Sequence, residues 1–255
     1  MTLTFTPLPQ IPLINPGDNL AELLLISMQL ARITCEDGDI LVIAQKIVSK
    51  AEGRHVNLET ISPSKEAIEL ATRSGKDPRL VELILRESKE VLRVRPGTII
   101  VEHNLGFICA NAGIDHSNVK GLDGNPDNWV LLLPVNPDKS ALMIRQKIKV
   151  ATSNRIGVMI IDSHGRAWRQ GTVGIAIGIS GLPGIVDERG WRDLFGYQLK
   201  ITMVAAADEL AAAASLVMGE AGEGLPAVHV RGFPYPLREG SLKELLRPKE
   251  NDLFR

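Results

Sequence analysis

The chain is poor in cysteine and in aromatic residues, almost balanced in charge, and free of long apolar runs. Its two cysteines, Cys35 and Cys109, are too few for a disulfide framework or a four-cysteine zinc site, and they predict free, mostly inert thiols in a reducing compartment. Aromatic residues make up 4% of the chain, which argues against stacking platforms for single-stranded nucleic acid. A net charge of −1 with no long basic run argues against a broad surface for nucleic acid or an acidic membrane. No segment approaches ~20 uninterrupted apolar residues, and MTLTFTPLPQIPLI lacks the basic region and apolar core of a signal peptide. The expectation is a cytoplasmic protein with no nucleic-acid and no membrane partner. Also missing are G-x-x-x-x-G-K-[ST], H-E-x-x-H, C-x-x-C and G-x-S-x-G, which removes the P-loop, zincin, thioredoxin-like and α/β-hydrolase readings.

What is present is enough apolar residue for a core: 44% of 255 residues. Asp18 predicts a helix cap before LAELLLISMQLAR. Ser62-Pro63 opens SKEAIELATRSG, which Gly75 stops, and Asp77-Pro78 opens RLVELILRESKEVL, with Glu82 and Arg86 on one face. Asn136-Pro137 opens a helix through SALMIRQKIKVA, and the alanine-rich VAAADELAAAASLVM ends at Gly219. Between these lie strand-like runs: ILVIAQKIVS, TIIVEHN, GFICANAG, WVLLLP, IGVMIID, VGIAIGI and AVHVRG. Their irregular alternation with the helices predicts an α+β fold rather than a doubly wound sheet. KGLDGNPDNW, 120 to 129, reads as a polar loop, and the charged stretch from Arg238 as a terminal helix or a loose tail.

Four stretches carry chemistry-bearing residues. In IIDSHGRAWRQGTVGIAIG, Asp162, Ser163 and His164 leave a strand in succession. Neighbouring side chains on a strand point to opposite faces, so the three do not form a Ser-His-Asp triad. A carboxylate and a hydroxyl at a strand end suit a hard cation, and Arg166 and Arg169 suit phosphate. Gly171, Gly174, Gly178 and Gly181 permit close backbone approach or tight bends. The alternative is an ordinary strand-end turn with a solvated arginine pair. Asp115, in LGFICANAGIDHSNV with Asn111 and Asn118, is either a second metal carboxylate or a turn former. Lys50, in IVSKAEGR, is a phosphate-binding charge or a surface lysine. Glu220 and Glu223, in VMGEAGEGLP, belong to a metal- or nucleotide-contacting loop or to a solvated helix end. His103, His116 and His229 form no ligand pair and read as structural or surface histidines.

Taken in order, LPQIPLINPGDNLAELL, DGDILVIAQKIVSKAEGR, PRLVELILRES, LGFICANAGIDHSNV, VMIIDSHGRAWRQGTVGIAIG and DELAAAASLVMGEAGEGLP resemble the coenzyme F420-0:L-glutamate ligase family, from about Leu8 to Gly232. The resemblance implies two intertwined α+β subdomains within residues 1–240, a C-terminal tail at 241–255, and a homodimer. It implies a ligase that uses GTP and two divalent ions, Mg²⁺ or Mn²⁺, with K⁺ as a further ion. The enzyme would add L-glutamate to coenzyme F420-0 through an acyl phosphate, giving F420-1 and, in some members of the family, F420-2 by a second, gamma-linked addition. By the same resemblance, Asp115 and Asp162 hold one metal and Ser163 a second, and Glu220 takes the place of a glutamine of the metal and nucleotide region. Ile11, Pro12, Leu13, Ile14, Lys50, Asn118 and the run Gly219, Glu220, Ala221, Gly222, Glu223, Gly224 contact the nucleotide. Arg166 and Arg169 are the catalytic basic pair. The family's D-T-F-G-R-P-W-R stands here as D-S-H-G-R-A-W-R, and its MGQ as MGE, so His164 replaces an aromatic residue and Glu220 an amide. The same chemistry on another carboxylate-bearing cofactor, and a non-catalytic protein that binds nucleotide or deazaflavin, are the alternatives.

Overall fold

A computed structural model describes residues 2–119, 121 and 126–252. In chain order the regular elements are β1 (Thr4–Pro7), α1 (Leu20–Leu30), β2 (Ile40–Ala44), α2 (Gln45–Ala51), β3 (His55–Asn57), α3 (Lys65–Ser74) and α4 (Pro78–Arg86). They continue as β4 (Ser88–Arg95), β5 (Thr98–His103), β6 (Ile108–Ala110), β7 (Trp129–Leu131), α5 (Pro137–Thr152) and β8 (Gly157–Arg166). The last are β9 (Arg169–Ser180), β10 (Val186–Asp187), β11 (Met203–Val204), α6 (Ala206–Met218) and β12 (Ala227–Arg231). The fold is α+β.

The central five-stranded sheet runs β1-β12-β2-β8-β9, and only β2 and β8 pair in parallel. Both of its faces are covered. Leu41, Ile43, Val158 and Ile160 join the core beneath α1 and α5, while Ile40, Val42, Met159 and Ile161 join the core beneath α6. That is the two-residue period of a strand, with an apolar residue at every position because neither face meets water. Each such buried aliphatic side chain stabilises the fold by about 2 kcal/mol. The glycines of β9 let the helices approach. A Cβ at Gly174 would lie 2.6 Å from Ser215 Cβ of α6, and one at Gly178 would lie 2.5 Å from the Pro137 carbonyl carbon of α5. A three-stranded sheet, β4-β5-β6, and the pair β3-β7 flank this layer, with α3 and α4.

Several local expectations hold. Asp77 caps α4 by accepting from Arg79 N at 2.8 Å, Asn136 caps α5 by accepting from Lys139 N at 3.0 Å, and Gly75 ends α3 at φ 67°. Glu82 and Arg86 pair at 2.9 Å. Others are corrected. α1 is preceded by Asn19, and Asp18 instead closes a turn by accepting from Asn15 N at 2.8 Å. The cap of α3 is Ser64, not Ser62. The helix predicted through 92 ends at Arg86, because Val91 and Val94 belong to a strand that returns through Pro96-Gly97 into β5. The run ILVIAQKIVS is a strand only to Ala44; its second half is α2, an ambiguity that short apolar runs carry. Of the loop at 120–129, residues 120 and 122–125 lie outside the described residues. From Arg238 the chain forms two short 3₁₀ turns rather than an α-helix, with Leu242 buried in the core and Glu244 paired to Arg238 at 2.7 Å. Residues 253–255 are also outside the described set.

Candidate functional site

The site lies at the carboxyl end of the parallel pair β2/β8. Ala44 is the register partner of Ile161, so Gln45 and Lys46 leave the sheet beside Asp162. Asp115 reaches the same place from another layer. Its backbone exchanges 2.9 Å hydrogen bonds with Leu131 of β7, and the preceding turn is wound left-handed at Asn111, Ala112 and Gly113 (φ 51°, 54° and 63°). A left-handed alanine is costly, and the tertiary structure secures this turn through Asn111 Oδ1, which accepts from Ile99 N at 3.0 Å.

Asp115 is gripped on both oxygens. Gln45 Nε2 donates to Oδ2 at 2.5 Å, and Lys46 Nζ lies 3.5 Å from Oδ1 while also donating to Ser117 Oγ at 2.9 Å. The ionised Asp115 carboxylate only accepts, which sets the Gln45 amide with its nitrogen toward Asp115, and Ser49 Oγ donates to the remaining Oε1 at 2.9 Å. Burial pushes the Asp115 carboxyl up to about 6; Lys46 opposes the rise and the negative charge of Asp162 adds to it. The two acids thus lie close enough for the charge of one to act on the other, and a concentration of negative charge in partly desolvated surroundings favours a cation. Lys50, in the last turn of α2, donates to the Asn118 carbonyl at 2.7 Å, and Asn118 Nδ2 donates to the Ala221 carbonyl at 3.1 Å. Burial lowers the Lys50 ammonium, as does the neighbouring Lys46.

Strand alternation separates the donors of β8. Asp162 and His164 share the α5 side, and His164 Nε2 lies 2.9 Å from Asp162 Oδ2 in hydrogen-bonding geometry. Ser163 faces the other way and donates to both carboxylate oxygens of Glu220, at 2.7 and 2.9 Å, just past α6. Glu223 accepts from Ala221 N at 2.8 Å, folding the run from Gly219 to Gly224 on itself between two left-handed glycines, Gly219 and Gly224 (φ 72° and 69°).

Asp115, Asp162, Lys50 and Asn118 are thus drawn to one region with the loop that carries Ala221, and Ser163 is joined to Glu220. The loop Ile11, Pro12, Leu13, Ile14 follows β1, and the turn after it docks on the end of α2 through Gly17 N to the Ala51 carbonyl at 2.8 Å. Arg166 and Arg169 are not drawn in. They face each other at the exposed end of the β8–β9 hairpin, and Arg166 donates to the Gln170 carbonyl at 2.8 Å. Gln45, Lys46 and Ser117 were not singled out from the sequence. The signal for the first two was a polar pair inside an otherwise apolar run. Gly174 and Gly178, set in a phosphate-like motif, are filled by helix packing. His103 and His229 are buried and His116 is exposed, and burial carries the Cys109 thiol up to about 12, with Asp162 adding to the rise.

The donors are carboxylate, hydroxyl and amide oxygens, which suit Mg²⁺ or Mn²⁺. Among the described residues no three His, Cys, Asp or Glu side chains form a ready-made cage. A groove between α1 and α5, lined by Leu25, Ile26 and Val150, contains none of these residues.

A family model described as F420-0:Gamma-glutamyl ligase matches residues 9–232, and the chain belongs to that family. It is similar to the coenzyme F420:L-glutamate ligase of Methanothermobacter thermautotrophicus, 51% identical over 246 residues that cover 96% of this chain and 95% of the relative. The protein of the same name from Methanocaldococcus jannaschii is 49% identical over 96% of this chain and 94% of its own length. That from Archaeoglobus fulgidus is 44% identical over 100% and 97%.

Proposed function

We propose that this chain is a GTP-dependent ligase that adds L-glutamate to coenzyme F420-0, giving F420-1 or, with a second addition, F420-2. The observation that carries the reading is the convergence of Asp115 and Asp162, flanked by Lys46 and Lys50, in a member of this ligase family. A carboxylate is a poor electrophile and needs activation. Its oxygen attacks the γ-phosphorus of GTP, the bond to the bridging oxygen breaks, and GDP leaves. The amine of glutamate attacks the resulting acyl carbon and gives up a proton. The carbon–oxygen bond to the phosphoryl group then breaks, releasing inorganic phosphate and the amide.

Positioning and charge neutralisation dominate the catalysis of phosphoryl transfer. Lys50, Asn118, the segment Ile11 to Ile14 and the loop Gly219 to Gly224 would hold the nucleotide. Asp115 and Asp162 would hold one divalent ion and Ser163 and Glu220 a second, with K⁺ as a further ion; these ions, Mg²⁺ or Mn²⁺, would neutralise the charge on the transferring group. Arg166 and Arg169 offer exposed guanidinium groups to a phosphate-bearing acceptor that extends away from the acids. The reading includes a cytoplasmic homodimer. Between β10 and β11 the chain exposes Leu194, Phe195 and Ile201 at 98%, 95% and 87%, an apolar arm that a second copy would cover.

Mass spectrometry of F420-0 incubated with the pure protein, GTP, L-glutamate and Mn²⁺ tests the reading. One or two added glutamyl units are expected. Unchanged F420-0 with GTP intact would overturn it in favour of another acceptor or a binding role.

A further inference from the structure

His164 is 8% exposed, although it sits on a strand that carries exposed residues immediately after it. Its ring is fixed from the side by Phe107, edge to face at a centroid distance of 5.2 Å, and Phe107 in turn stacks on His103 at 5.2 Å. Three rings therefore form a wall whose Asp162 end is His164. Against that wall His164 Nε2 meets Asp162 Oδ2 at 2.9 Å, and among the described residues no other side chain hydrogen-bonds to this carboxylate. A carboxylate anchored on one oxygen by a rigid donor cannot rotate freely about χ2. Its second oxygen then has a single direction in which to serve a cation.

We infer that His164 is a positioning residue: held by Phe107, it locks one oxygen of Asp162 and so presents the other to the divalent ion. The inference rests on the proposed role of Asp162 as a cation ligand. It makes the histidine of D-S-H-G-R part of the site rather than a neutral replacement of an aromatic residue. Supporting hydrogen bonds of this kind are worth roughly 10- to 100-fold in metal affinity.

Two substitutions separate the donor from the ring. His164→Phe keeps an aromatic body against Phe107 and removes the hydrogen-bonding nitrogen. His164→Gln loses the ring and keeps a nitrogen donor at comparable reach. Mn²⁺ binding to the nucleotide-free, substrate-free chain is measured by calorimetry, with a thermal midpoint for each variant. The expected result is Mn²⁺ affinity about 10- to 100-fold weaker in H164F and within a few-fold of the parent in H164Q, whatever the order of their thermal midpoints. A role confined to packing would reverse that order, and equal affinity in H164F and the parent, or no Mn²⁺ binding by the parent, would overturn the inference. Should H164F fail to fold, nitrogen-15 spectra of the histidine-labelled parent decide, with the signal assigned by its loss in H164Q. A proton on Nε2 is expected, and a bare Nε2 overturns the inference. A parent that binds Mn²⁺ but leaves F420-0 unchanged would instead count against the proposed reaction and leave the positioning intact.

Discussion

Gln45 Nε2 and Asp115 Oδ2 meet at 2.5 Å across 70 positions of sequence. That contact ties the start of α2 to the segment after β6, and it brings one acid to the strand end that carries the other. Asp115 is also a carboxylate pushed upward by burial and by Asp162, so its charge disfavours the empty fold.

Asp115→Asn is therefore expected to lower glutamyl transfer by at least about 100-fold while leaving the thermal midpoint of the metal-free chain unchanged or higher. Activity assays paired with thermal unfolding check this. A large fall in the midpoint would show that the carboxylate is structural instead.

Glu220 adds a negative charge beside Ser163, with both of its oxygens accepting from the hydroxyl. Because ligand charge sets the affinity of oxygen sites for hard cations, Glu220→Gln is expected to weaken Mn²⁺ binding by about 10-fold and to retain the fold. Titration of Mn²⁺ by electron paramagnetic resonance reads the change. Tighter binding in the variant would remove Glu220 from the ligand set.

Asp39 anchors the opposite end of the sheet. Burial would raise its carboxyl, but hydrogen bonds from Arg231 and the closeness of His229 outweigh it and hold the group well below the usual range. A depressed acid contributes stability that is fully present above its unfolded pKa, about 4, and is lost as pH falls below that value. Asp39→Asn is expected to cost about 2 kcal/mol at neutral pH, less than a fully buried pair because Arg231 is partly open to solvent. Urea unfolding should show the gap between parent and variant closing below about pH 4. A gap independent of pH would refute the ionic role.

The arm between β10 and β11 exposes Leu194 and Phe195 almost completely. The double change Leu194→Glu and Phe195→Glu is expected to convert a dimer to a monomer in sedimentation velocity without altering the helical signal in circular dichroism. A parent chain that sediments as a monomer would refute the dimer.

Helix starts were legible at Asp77-Pro78 and Asn136-Pro137, because capping is local chemistry, whereas the same pairing at Ser62-Pro63 lies two residues before the true cap, Ser64. The family was legible from motifs in order, and with it the acids Asp115 and Asp162. The extent of α4 was not, because Val91 and Val94 gain their strand character only when β5 pairs with them. Lys46 and Gln45 were hidden for the same reason: an apolar run says that a segment is buried, not that its polar residues meet an aspartate from another layer. The sequence by itself determined the α+β class, the family and the residue types at the acids, since these follow from local pattern and motif. Tertiary structure alone decided that Ser163 turns to Glu220 while Asp162 turns to His164. Strand alternation fixes opposite faces, and only the packing of α6 and of Phe107 supplies what each face meets.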